Sequence, residues 1–139
     1  MDEAGRTCST ALRVRFGETD AMGVANNAAY LQYFEIGRIE YLRAAGHRYA
    51  DVHAGGMDMV VVEAGIRYLK ALWFDDEFEV ECELADLTRA SFTFRYRLLR
   101  GAATVATGFT RHACVDRATM RAVRVPEWLT RLESRAEGA

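Results

Sequence analysis

The sequence predicts an α+β fold in which one antiparallel sheet of five or six strands wraps around a single long central helix. Residues 77–84 alternate without a break, with Phe78, Val80, Cys82 and Leu84 on one side against Glu77, Glu79, Glu81 and Glu83 on the other. That is the period of a strand with one wet face. Residues 31–45 instead repeat Leu31, Phe34, Tyr41, Leu42 and Ala45 at three- and four-residue spacing and stop at Gly46, which is the period of a helix. Short turn signals, rather than long linkers, separate the later alternating runs, so those strands are expected to be antiparallel neighbours.

Taken in order, residues 1–9 are small and polar and read as a flexible N-terminal arm before a single domain over residues 10–135. Thr10 to Phe16 places Leu12, Val14 and Phe16 on one face of a first strand that stops at Gly17. A loop, Gly17 to Asn26, leads to the helix, for which Asn27 is the expected N-cap. Arg38 interrupts the apolar stripe, and Glu35, three residues earlier on the same side, is its expected partner in a surface ion pair. After the Gly55-Gly56 turn, Met57 to Tyr68 reads as a second strand. The alternating strand from Glu77 follows, then Phe92, Phe94, Tyr96 and Leu98, a tight turn at Arg100-Gly101, and a return through Val105, Phe109 and Val115. Arg121 to Val125 is expected to form a last short strand, and Pro126 to open a C-terminal helix through Trp128, Leu129 and Leu132. One sheet on one helix leaves edges and a second face uncovered, so a homodimer, and by pairing of dimers a homotetramer, is expected.

Composition narrows the function classes. With 139 residues and a formal net charge of -2, the chain has no clustered basic stripe to neutralise a phosphate backbone, and nucleic acid is not expected as a partner. Cys8, Cys82 and Cys114 form no CxxC or Cys/His cluster, and three is an odd number for a disulfide framework. Reduced thiols, the absence of an apolar leader and the absence of an apolar run of membrane-spanning length point to a cytoplasmic protein without membrane insertion. No metal and no cofactor is expected.

The densest chemistry lies in Gly17-Glu18-Thr19-Asp20-Ala21-Met22-Gly23 and the helix start that follows, Asn26-Asn27 to Tyr30. An acid-x-Asp-x-x-Gly loop after a short strand, followed by the aromatic-rich Tyr30-Leu31-Gln32-Tyr33-Phe34-Glu35, resembles the 4-hydroxybenzoyl-CoA thioesterase family of hotdog proteins, which includes the acyl-CoA thioesterases associated with the Tol-Pal system. The resemblance spans roughly residues 12 to 126 and extends to Asp75-Asp76 and to the Arg89-Ala90-Ser91 turn. It implies the hotdog fold and hydrolysis of an acyl-CoA to a free acid and CoA, with CoA entering as part of the substrate.

The resemblance puts Asp20 at the position of the family's catalytic aspartate, either as nucleophile or as general base for a water. It puts the oxyanion donor on the backbone amide of Asn27, where a helix N-terminus offers unpaired N–H groups, with Gly23 allowing the close approach. Arg89 and Ser91 match a turn that meets the nucleotide part of CoA in some relatives, commonly from the neighbouring subunit, and Lys70 is a further cation for the phosphates. Tyr30, Tyr33 and Phe34, facing Met57 and Met59, are candidates for an acyl tunnel.

This chain departs from the family where relatives carry a His near the loop, holding Val24, Asn26 and Asn27 there instead. His47, His53 and His112 all lie elsewhere in the sequence, and Ala71 stands where relatives usually have Pro. Glu63, in a strand, does not suit the role of the helix glutamate used by a second hotdog lineage, whereas Glu35 and Glu40 lie in the right element. Two other readings stand beside the acyl-CoA thioesterase: a non-catalytic acyl-binding protein, and release of acyl chains from an acyl carrier protein.

Overall fold

The computed structural model describes residues 7–138, with side chains as far as Leu132. Strand β1 (Thr7–Arg13) leads through a single 3-10 turn (Phe16–Glu18) to helix α1 (Asn27–Ala44) and the short helix α2 (Tyr49–Ala54). Strands β2 (Met57–Tyr68), β3 (Glu77–Ala85), β4 (Ser91–Arg100) and β5 (Ala103–Asp116) follow, and helix α3 (Glu127–Gly138) ends the described chain. All five strands join one antiparallel sheet in the order β1-β3-β4-β5-β2, so β3 to β5 form a meander flanked by the two strands from the N-terminal half.

Alternation decides which face holds the helix. Phe78, Val80, Cys82 and Leu84 of β3 are buried with Phe92, Phe94, Tyr96 and Leu98 of β4, and Phe34, Tyr41 and Leu42 of α1 pack into the same cluster. Phe34 lies flat on Tyr96 with ring centroids 4.3 Å apart. It occupies the space over Gly108 of β5, where an added Cβ would stand 2.5 Å from the Phe34 ring and 2.6 Å from the Gly65 carbonyl oxygen. The other face carries the polar half of the alternation, including ion pairs from Arg97 to Glu81 and from Arg13 to Glu77.

A buried polar chain runs beneath α1. Tyr96 Oη and Thr110 Oγ1 are 2.5 Å apart, Thr110 Oγ1 and His112 Nε2 2.7 Å, and His112 Nδ1 lies 3.4 Å from the Met59 carbonyl. A carbonyl only accepts, so Nδ1 carries the proton, Nε2 accepts from Thr110, and Thr110 accepts from Tyr96. The ion pair expected between Arg38 and Glu35 is present at 3.9 Å, but Arg38 is largely buried rather than at the surface. Its side chain is only 18 % exposed, and its charge acts on the buried Tyr96 hydroxyl and on His112.

Other differences from the sequence reading have local causes. β1 begins at Thr7, so residues 7–9 belong to the sheet rather than to the arm, because the edge of β3 offers them backbone partners and Cys8 is buried opposite Cys82. Residues 1–6 of that arm lie outside the described residues. The strand also ends at Arg13, and Phe16 turns out into solvent to meet the edge of Phe74, with ring centroids 5.8 Å apart. Arg121 to Val125 does not form a strand and makes one isolated bridge, Val115 with Ala122. Helix α2 was not anticipated, since it is a single six-residue stretch with no fully buried side chain.

Gly108→Ala should lower stability by roughly 1–3 kcal/mol, because Phe34 is already held against Tyr96 and cannot give way. A urea midpoint unchanged from the native protein would contradict this packing. Burial, followed by the charge of Arg38, lowers the pKa of His112 to about 4. The unfolded imidazole titrates near 6.5, so between the two values only the unfolded chain takes up the proton. The contribution is therefore complete above about pH 6.5 and is lost as the pH falls towards 4, with roughly 2 kcal/mol gone by pH 5. Urea unfolding at pH 7 and pH 5 should show this loss in the native protein and much less of it in His112→Gln.

Candidate active site

The loop between β1 and α1 is closed by its own backbone. Asp20 N–H donates to the Val24 carbonyl at 2.9 Å and Gly23 N–H to the Asp20 carbonyl at 3.0 Å, with Gly23 at φ +81, a conformation that glycine adopts without strain. On its outer side the loop is held by the Trp73–Asp76 turn, through Phe74 N–H to the Gly23 carbonyl at 2.9 Å and a bridge between Val24 and Trp73. The Asp20 side chain is exposed. One of its oxygens, Oδ1, accepts from Met22 N–H at 2.8 Å, which leaves Oδ2 without a protein donor among the described residues.

Asn26, not Asn27, caps α1. The Asn26 backbone is extended and its Oδ1 accepts from Ala29 N–H at 3.0 Å, whereas Asn27 is the first residue with helical geometry. The sequence offered two adjacent asparagines of equal capping propensity, and only the backbone dihedrals separate them. Among the described residues the N–H groups of Asn27 and Ala28 have no protein acceptor. They point out of the positive end of the helix dipole, where an oxygen bearing developing charge is stabilised.

A cleft of about 290 Å3 opens there, lined by Val24, Asn27, Tyr30, Tyr68, Lys70 and Ala71 among others. Tyr30 is buried with its ring edge on Tyr68 at 4.9 Å, and Tyr68 Oη donates to the Asn27 carbonyl at 3.2 Å. Asp20 does not itself line this cleft. It meets the wall through its backbone pairing with Val24.

Of the other residues singled out from the sequence, Lys70 joins the cleft while Arg89 and Ser91 do not. The 89–91 turn follows β3, whereas the Asp20 loop packs on the turn before it, so within one chain they are separated by the nine residues of that strand. The Ser91 hydroxyl also lies 2.7 Å from Thr88 Oγ1 inside its own turn. Tyr33 and Phe34 are core residues rather than tunnel walls, committed to Glu18 and to Tyr96. His47 stacks on Trp128 at 4.0 Å, and His53 lies between Asp58 and Arg117, both far along the chain from Asp20. A second, smaller cavity of about 170 Å3 lies beside Arg38, Tyr49, Met59 and His112. It sits on the stripe of α1 eleven residues beyond Asn27, about 16 Å along the axis.

Comparison with known proteins identifies the family. Residues 14–132 match the thioesterase-like superfamily. The chain belongs to that superfamily. The acyl-CoA thioesterase YbgC of Haemophilus influenzae is 33 % identical over 117 residues, covering 84 % of this chain and 86 % of that one. A hypothetical protein of Thermus thermophilus, TT1821, superposes with a TM-score of 0.85 at 38 % identity over 92 % of this chain and 95 % of that one. The DHNA-CoA thioesterase of Staphylococcus aureus, at 24 % identity, shares the fold with a TM-score of 0.88 over 95 % of this chain and 91 % of that one. The fold is the hotdog, and the family is one of thioester hydrolases.

Removal of the cap separates the two asparagines. Asn26→Ala should cost about 1 kcal/mol of stability, whereas Asn27→Ala should leave both stability and thioester turnover near native, because the group assigned to Asn27 is its backbone N–H. An equal loss of stability in the two variants would contradict the assignment of the cap.

Proposed function

We propose that the protein hydrolyses an acyl-CoA to a free acid and CoA, with Asp20 as the reacting carboxylate and the Asn27 N–H as the oxyanion donor. The observation that carries this reading is the pairing of a carboxylate oxygen with no protein donor, on the Asp20 loop, with unsatisfied N–H groups at the adjoining start of α1. Asp20 either attacks the thioester carbonyl, giving a mixed anhydride that water then opens, or takes a proton from the water that attacks. In both routes the C–S bond breaks, the electron pair leaves on sulfur, and the thiolate is protonated from solvent. Gly23 lets the loop turn close to the helix start. Lys70, which lines the cleft, would meet the phosphates of CoA, and Tyr30 would flank the thioester.

The proposal extends to a homodimer formed through β2. β2 is an edge strand whose Val61, Val62 and Tyr68 are 46 %, 48 % and 45 % exposed, which is a surface that a second copy would cover. Pairing about the middle of the strand would set Met59 of one copy opposite Ile66 of the other, so that the cavity beside Met59 faces the neighbouring cleft and receives the acyl group. Arg89 and Ser91 would then act, if at all, from another subunit, and two such dimers would make the tetramer. All three cysteines are free and buried, consistent with a reducing, cytoplasmic setting. Among the described residues no helix is long and apolar enough to cross a membrane.

Thiol release from short, long and aromatic acyl-CoAs tests the activity. The native protein should turn over at least one class, and Asp20→Asn, which keeps the shape and removes the charge, should lose roughly 100-fold or more of that rate while remaining folded. Equal rates would overturn the role of Asp20. No turnover by either protein would favour the acyl-binding reading or a substrate held on an acyl carrier protein.

A further inference from the structure

Two carboxylates stand two residues apart in the catalytic loop, and the chemistry proposed above uses only Asp20. Glu18 is wholly committed inside the protein. Its Oε1 accepts from Arg15 N–H at 2.9 Å and from the Tyr33 hydroxyl at 2.8 Å, while Oε2 faces Arg15 Nε at 2.8 Å and Arg15 Nη2 at 2.7 Å. Three hydrogen bonds and a further contact from the same guanidinium thus engage both oxygens. Burial by itself would raise the pKa of Glu18, but the bonds from Arg15 and Tyr33 outweigh it and hold the group below the usual carboxylate range. An ionised carboxylate with both oxygens held by protein donors is poorly placed to attack a carbonyl or to take a proton from water. Glu18 and Asp20 are therefore not interchangeable acids.

Among the described residues, no other side chain of the loop before the cap residue Asn26 hydrogen-bonds to α1. Phe74 N–H to the Gly23 carbonyl and Ala25 N–H to the Leu72 carbonyl tie the loop to the segment before β3. Glu18 ties it to the helix: its side chain holds Tyr33 on α1, and its carbonyl accepts from the N–H of the cap residue Asn26 at 2.8 Å. Thr19 bridges Ala25 immediately above. The relative placement of a carboxylate on the loop and an N–H on the first turn of α1 depends on a connection between those two elements.

We propose that Glu18 is a positioning residue, whose buried, hydrogen-bonded carboxylate fastens the Asp20 loop to α1 through Tyr33 and so fixes the Asp20 carboxylate relative to the Asn27 N–H. The inference rests on the Asp20 reading for its consequence in catalysis, but the tie itself exists without substrate. Misplacing a reacting group by about 1 Å can cost on the order of 100-fold in rate, so loss of the tie should appear in kcat rather than in KM.

The test compares Glu18→Gln, Glu18→Asp and Tyr33→Phe with the native chain, using the same acyl-CoA panel together with hydrogen exchange of the loop amides. Glu18→Gln keeps the shape but turns one acceptor into a donor facing the Arg15 guanidinium. It should lower kcat by roughly 10- to 100-fold with KM nearly unchanged. Tyr33→Phe, which removes only a hydroxyl, should lower kcat in the same way by less. Glu18→Asp keeps the charge, but is one methylene too short to hold Arg15 and Tyr33 together, and should not rescue the rate. In the Asp20→Asn background Glu18→Gln should have no further effect, because there is no longer a reacting carboxylate to place. Amides of residues 19–25 should exchange faster in both Glu18→Gln and Tyr33→Phe, with β3 to β5 unchanged. Variants that lose stability yet keep native kcat per folded molecule would overturn the inference, as would loop exchange that neither substitution alters. Failure of the native protein to hydrolyse any acyl-CoA would contradict the Asp20 reading instead, and exchange would still decide whether Glu18 makes the tie.

Discussion

Phe34 lies in the hollow over Gly108 and is stacked on Tyr96, and the placement of the whole active end follows from that seat. An aromatic ring clamped between a second ring and a strand backbone has almost no freedom to slide, since protein interiors are packed like crystals and a methyl group more or less is felt. Once Phe34 is seated, the axis and rotation of α1 are set, and the first turn of the helix comes out beside the segment that precedes β3. The next aromatic towards the N-terminus, Tyr33, then points at the loop and meets Glu18. A contact deep in the sheet thus reaches the surface as a defined position for Asn26 and Asn27.

Seen from the chemistry, the same loop sorts two carboxylates by environment. Glu18 is surrounded by donors and buried. Asp20, two residues on, keeps one oxygen clear because the turn around Gly23 spends only Oδ1 on the backbone. Opposite functions for two neighbouring acids need only a difference in the number of donors around each. The buried chain from Tyr96 through Thr110 to His112 follows the same logic on the other side of α1, where every proton has an acceptor and the histidine is held neutral.

Much of this was legible in the sequence, and the parts that were not share a cause. Strands β3 and β4 follow the alternation closely, since period-two burial is a local property that the chain carries with it, while β2 was legible through its β-branched run. Asp20 and Gly23 stand out through the loop pattern they share with a family, which is what makes them candidates. Glu18 belonged to the same pattern, but its role was invisible because its partner Tyr33 lies fifteen residues away and the link is a side-chain contact across space. Nor does the sequence give a sign that the 68–71 segment, with Lys70, passes the helix start. The start of β1 was missed because Thr7 and Ser9 have no strand pattern of their own and are recruited by the edge of β3. Arg38 looked like a surface residue because its neighbour Glu35 does lie at the surface. Its own side chain instead runs inward to Tyr96.

The availability of Glu18 and Asp20 can be compared in one sample. Carbodiimide-coupled glycinamide labels free carboxylates, its progress at each residue can be followed by mass spectrometry, and thioesterase activity can be assayed at every time point. Asp20 should label, with activity lost in step, while Glu18 in the folded protein remains unmodified. Labelling of Glu18 as fast as Asp20, or activity that survives complete modification of Asp20, would contradict the division of roles described here.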